Sequence, residues 1–152
     1  MLIEKELEQR IKAEIETLAP LAEYQIVLSR DCEAVKGERK DRTGVVAITA
    51  GYRQHDAFSL SPISMPVTIS IVTRIEQDRT SAKHEAAVEA LSDWLSLCHK
   101  DGERMTANLS CGRFFAGELR CDGGSGFVFD SDAGVFRETI SVTIRGSEIF
   151  TA

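Results

Sequence analysis

Apolar side chains recur along this chain in two periods, and the change from one to the other lays out the elements. Ile3, Leu7, Ile11, Ile15 and Leu18 follow one another at spacings of four, four, four and three, which aligns them as one stripe down a helix. Charged residues, among them Glu4, Glu6, Glu8, Lys12, Glu14 and Glu16, occupy the other sides. Ala19-Pro20 ends this helix, because the residue before a proline is pushed out of the α region. So narrow a stripe predicts a helix lying on a sheet edge or against another subunit.

Between Pro66 and Ile75 the period becomes two. Val67, Ile69, Ile71, Thr73 and Ile75 fall on one face of a strand, and Pro66 is tolerated at its start because it need not donate to the ladder. A polar turn follows, with Asp78, Thr80 or Ser81 as the helix cap. A second helix then aligns Ala87, Leu91, Trp94, Leu95 and Cys98 on one side. It is expected to run to about Lys100, with His99 and Lys100 complementing its dipole and Gly102 stopping it. Residues 24–29 and 44–52 read as strands, as do 113–121, 126–129 and 135–145, with glycine-rich turns at 122–126 and 130–134. In the last strand Phe136, Ile140, Val142 and Ile144 face one way with Glu138 interrupting the row, while the alternate positions are mostly polar.

Helix, strands, helix, strands predicts an α+β fold: a mostly antiparallel sheet with two main helices packed on one face. Its 152 residues read as a single domain, with 31–43 and 53–65 as mobile loops.

Composition narrows the function classes. The apolar share of 43% and the charged share of 28% are those of an ordinary soluble globular protein. A formal charge of −6 argues against specific nucleic-acid binding, which draws on clustered Lys and Arg. The densest basic run, from Lys36 to Arg42, is broken by Glu38 and Asp41 and reads as a solvated arm. Cys32, Cys98, Cys111 and Cys121 form no Cys-x-x-Cys pair, the first residues read as charged helix, and no apolar run is long enough to span a membrane. A reduced, cytoplasmic protein with free thiols is the expectation.

Candidate chemistry is sparse. His55, His84 and His99 show no metal-ligand spacing and are expected to face solvent. Ser110-Cys111-Gly112 and Gly124-Ser125-Gly126 do not match a nucleophile elbow. The glycines at 123–126 lack the Lys-Ser/Thr of a phosphate loop and read as a hairpin turn. Asp130 and Asp132 read as turn chemistry. No catalytic, cofactor-binding or metal-binding residues are expected, and no cofactor. What remains is one-sided amphipathicity, a long terminal strand and a charged arm, the features of a protein that acts by assembling. The candidate subunit interface comprises Ile3, Leu7 and Ile11 on the first helix, Arg39 and Arg42 on the arm, and Glu138, which either marks where its strand emerges from the core or pairs with an arginine of a neighbouring copy.

The order of these parts resembles a known family. A helical start at Leu7 to Leu18 precedes a charged loop and the strand Met65-Pro-Val-Thr-Ile-Ser-Ile-Val-Thr-Arg74. A helix opening Ala-Lys-His-Glu-Ala-Ala-Val-Glu-Ala-Leu follows, and the chain closes on Arg137-Glu-Thr-Ile-Ser-Val-Thr-Ile-Arg145. This looks like the small tail-terminator and tail-completion (neck) proteins of long-tailed bacteriophages and prophages. The resemblance implies a non-enzymatic virion-tail protein, assembled in the cytoplasm. Its subunits would form a ring, commonly a hexamer, that caps the tail tube and meets the head connector. The loop at 53–65 and the glycine-rich turn depart from the family pattern, and no functional residue is carried over. Two further readings stand beside it: a binding or adaptor module of a bacterial assembly, and a small hydrolase-type enzyme, which would need a pocket gathering His55 or His84 with Glu138 or a cysteine.

Overall fold

The computed structural model describes residues 2–31, 42–55 and 62–149. Along the chain come α1 (Ile3–Ile15), a 3-10 turn at Ala19–Leu21, β1 (Tyr24–Leu28), β2 (Gly44–Ala50), β3 (Gln54–His55) and β4 (Ile63–Arg74). A second 3-10 turn at Ile75–Gln77 leads to α2 (Ala82–Lys100), α3 (Gly102–Leu109), β5 (Phe114–Gly123), β6 (Val128–Asp130) and β7 (Val135–Glu148).

The alternation in β4 and β7 makes these two strands the spine. They pair antiparallel over their whole common length, from Ile63 opposite Gly146 to Arg74 opposite Val135. The sheet order is β1-β2-β4-β7-β5, with β3 also on β4 and β6 also on β7. Among the described residues, β1 and β2 pair in parallel and every other strand pair is antiparallel. The fold is α+β, as its pattern of periods predicts.

One face of the sheet is apolar and covered. Ile48, Met65, Ile69, Ile71 and Ile144 are fully buried there with Phe114 of β5. The predicted row of α2 (Ala87, Leu91, Trp94, Leu95 and Cys98) packs onto them. The opposite face is polar. Thr49, Thr68 and Ser141 lie in one cross-strand row, and Ala47, Ser70 and Thr139 in the next. These residues are exposed or half-buried.

Three expectations need correction. The stripe Ile3, Leu7 and Ile11 does not wait for another subunit: at 0%, 0% and 1% exposure it is buried in this chain's own core. It is also wider than its apolar letters, because Glu4 and Glu8 beside it are buried too. Gly102 does not simply stop a helix. Asp101 caps a further one by accepting from the Arg104 N–H at 3.1 Å, and Met105 and Leu109, one turn apart, bury its inner side. Segment 53–65 is not loop throughout, since β3 pairs with the first residues of β4, Ile63 and Ser64.

Candidate functional site

Where α2 meets the sheet, a chain of polar side chains runs from the buried core out to the half-buried Glu138. The Tyr24 hydroxyl of β1 lies 2.7 Å from Thr73 Oγ1 of β4. Thr73 Oγ1 lies 2.6 Å from His84 Nδ1, and His84 Nε2 lies 3.0 Å from Glu138 Oε1 of β7. His84 and Thr73 are completely buried. His84 is therefore not a surface histidine. The cause is its position, one turn before Ala87 on the inner side of α2, where Thr73 and Glu138 are the polar members of two otherwise apolar rows.

One donor order satisfies the whole network. If Tyr24 donates to Thr73, and Thr73 donates to Nδ1, then Nε2–H donates to Glu138 and every group is satisfied. Burial pushes the Tyr24 phenol up to about 12, against the opposing effect of the Thr73 hydrogen bond. Asp78 completes the junction by accepting from the His84 backbone N–H at 2.8 Å. It thereby caps α2 from outside the first turn, while Ser81 takes the left-handed conformation at φ 61°. Phe127 and Phe136 roof the imidazole, with ring centroids 5.6 and 5.9 Å from it.

A second polar cluster ties α1 to the sheet. Glu4 accepts from the Arg53 backbone N–H at 3.0 Å and from Arg53 Nε at 2.9 Å, and its other oxygen accepts from Nη2 at 3.1 Å. Arg53 Nη1 also donates to Glu148 at 3.1 Å. Burial pushes the Glu4 carboxyl up, but the hydrogen bonds and charge of Arg53 outweigh it and hold the group below its ordinary range. One turn on, Glu8 accepts from the Ala50 N–H at 2.7 Å and from Arg30 Nε at 2.9 and 3.1 Å. No apolar spacing signals these pairs; the only hint is that each glutamate borders the α1 stripe.

The remaining candidates are dispersed. Glu138 meets His84 of its own chain rather than an arginine of a neighbour. Arg42 donates to the Ala22 carbonyl at 3.0 Å; Arg39 lies outside the described residues. His55 stands 3.9 Å from Glu148, and His99 Nδ1 lies 2.7 Å from the Leu119 carbonyl oxygen. Among the described residues, no three His, Cys, Asp or Glu side chains gather to hold a metal ion. No described helix is long and apolar enough to cross a membrane.

β1 and β5 are the outer strands of the sheet. Beside β5, the segment Phe127, Val128 and Phe129 is 48–59% exposed, although its two aromatic rings stand 5.3 and 5.9 Å from buried Phe136. An apolar outer segment of this kind is what an interaction surface looks like.

No protein-family model matches the chain, and no curated protein matches it in sequence. A solved structure does match, "Virion of native gene transfer agent (GTA) particle", with a TM-score of 0.59. The fold is shared with a virion chain. The match covers 95% of this chain and 94% of the other at 17% identity, so the likeness spans the whole architecture and not one motif.

Proposed function

We propose that this chain is a structural subunit of a phage-like virion tail, acting through its surfaces and not through catalysis. The observation that carries the reading is the shared fold, end to end, with a chain of a gene transfer agent virion. The order of elements, which resembles that of tail-terminator and neck proteins, points the same way. In this reading copies of the chain form a ring, a hexamer if it follows that family, that ends the tail tube or joins it to the head. Its partners are other copies of itself and the tail-tube and head-connector proteins, and it assembles in the cytoplasm without a cofactor.

The site geometry supports a non-enzymatic role. The imidazole best placed for acid–base work, His84, is 0% exposed and already spends both nitrogens on Thr73 and Glu138. A general base must reach a substrate proton, and this one is walled in by Phe127 and Phe136. The test is the state of the purified chain by light scattering and electron microscopy. A discrete closed oligomer is expected. Strictly monomeric behaviour at tens of micromolar, where subunit contacts of ordinary affinity are populated, would overturn the ring.

A further inference from the structure

The outer edge formed by β5 and β6 is closed at one end and open at the other. Along an antiparallel pair, alternate residues exchange backbone hydrogen bonds with the partner strand, and the residues between them point theirs away. On β5 the outward positions are Phe114, Ala116, Leu119 and Cys121, opposite Glu148, Gly146, Ile144 and Val142 of β7. On β6 the outward position is Phe129, opposite Phe136. The first three are capped from within the chain. Phe114 exchanges hydrogen bonds with the Cys111 backbone at 2.9 and 3.2 Å. The Ala116 N–H donates to Ser110 Oγ at 2.9 Å, and its carbonyl accepts from Thr106 Oγ1 at 2.8 Å. The Leu119 carbonyl oxygen lies 2.7 Å from His99 Nδ1. Cys121 and Phe129 have no such cap among the described residues.

An edge with unpaired donors and acceptors is a template for another strand. This one also carries apolar surface, with Phe129 59% and Val128 48% exposed. The open stretch is symmetric along β7. Arg120, Cys121 and Gly123 lie opposite residues 143, 142 and 141, and Asp130, Phe129 and Val128 lie opposite residues 135, 136 and 137. Midway between them Ser125 sits on Thr139, its N–H donating to Thr139 Oγ1 at 2.8 Å.

We propose that this stretch pairs, antiparallel and about a two-fold axis at Ser125, with the same stretch of a second copy. The occupant is a second copy because the stretch is complementary to itself. The two-fold brings Cys121 of each copy opposite Phe129 of the other, and each such pair exchanges both N–H···O bonds. It sets large against small: Phe129 meets Cys121, and Val128 meets Gly123, where a Cβ would find nothing within 4 Å. On the polar face it sets Arg120 opposite Asp130, a favourable cross-strand pair. Each of these already holds an ion pair in its own chain, with Asp122 and Arg137, so the signs alternate along the joined row. An unrelated strand would meet the same donors and acceptors without this matching of size and charge. The contact uses one surface twice, unlike the head-to-tail contact of a ring, and it does not rest on the ring reading.

The test is oxidation of folded Phe129→Cys, followed by peptide mapping of the disulfides. Opposed residues of a hydrogen-bonded antiparallel pair have Cα atoms about 5.5 Å apart, within disulfide reach. A covalent dimer joining Cys121 of one copy to position 129 of the other is expected, and adding Cys121→Ser should abolish it. Amide exchange of the unsubstituted chain gives a second reading that needs no variant to fold. Raising the concentration from about 1 to about 100 μM should slow exchange at Cys121 and Phe129 by at least about tenfold. Absence of that disulfide, links scattered among the other cysteines, or unchanged exchange at both amides would overturn the pairing, and a ring built on other surfaces would survive that result. A link between positions 121 and 129 in a chain that forms dimers and nothing larger would keep the pairing and sink the ring.

Discussion

His84 and Glu138 meet at 3.0 Å across the junction of α2 with β7, and this contact joins residues 54 positions apart in the chain. It closes a polar path that runs from β1 through β4 to α2 and β7. Such a path orients α2 on an apolar sheet that would otherwise accept the helix in several registers.

Replacing His84 by alanine should destabilise the protein by about 2–4 kcal/mol, because it opens a cavity and strands the buried Thr73 hydroxyl and the Glu138 carboxylate. Glu138→Gln should cost less than about 1 kcal/mol, since the amide oxygen can still accept from Nε2–H. Urea denaturation of both variants checks the order. A Gln variant as damaging as the Ala variant would refute the view that a hydrogen bond to Nε2, and not the carboxylate charge, is what this contact contributes.

Arg53 holds Glu4 ionised in the interior, so removing only the arginine should be far worse than removing both. Arg53→Met should cost about 3–5 kcal/mol, and adding Glu4→Gln should restore much of it. The pH dependence follows from the lowered Glu4 pKa. Below the ordinary value of 4.5 the unfolded chain takes up a proton that the folded chain refuses. The contribution is whole above that pH and is lost as the pH falls through the lower, folded pKa. Unfolding free energies measured from pH 7 downward should decline less steeply in Glu4→Gln than in the wild type.

Gly124, at φ +150°, is a position where only glycine fits, because an added Cβ would collide with the Thr139 carbonyl oxygen. Gly124→Ala should therefore displace the bulged crossing between β5 and β6, at a cost of about 1–3 kcal/mol. Gly126 has open space where a Cβ would sit and no positive φ, so Gly126→Ala should change the melting temperature little. Thermal melts of the pair separate a packing constraint from a merely flexible turn.

Thiol chemistry should distinguish the cysteines. Cys98 is buried in the core, and burial pushes its thiol up to about 11; Cys121 is exposed on the outer strand β5. Labelling of the native protein with a thiol reagent at pH 8 should modify Cys121 rapidly and leave Cys98 unmodified until the protein unfolds. Peptide mapping after a short exposure provides the measurement.

Much of the fold was legible in the sequence because burial follows period. The row Val67, Ile69 and Ile71 and the α2 row from Ala87 to Cys98 could be placed from spacing alone, and both are buried. Asp78, Thr80 and Ser81 were all readable as caps from their place before α2, and it is Asp78 whose side chain caps the helix. The polar interior was not legible. Glu4, Glu8 and His84 carry polar letters, and what makes their burial tolerable is a partner distant in the chain: Arg53, Arg30 and Glu138. Local pattern cannot signal a pairing that only the folded sheet creates. For the same reason a stripe that read as an external interface, Ile3 to Ile11, is internal: the missing width of its apolar face is supplied by those glutamates and their arginines.

The unbroken pairing of β4 with β7 has a mechanical consequence. Its hydrogen bonds lie perpendicular to the strands, so tension applied along the strand axis would strain all of them at once, whereas a sideways pull on β1, held by its five-residue register with β2, would unzip them singly. The molecule is thus stiff along its central strands and yielding across them.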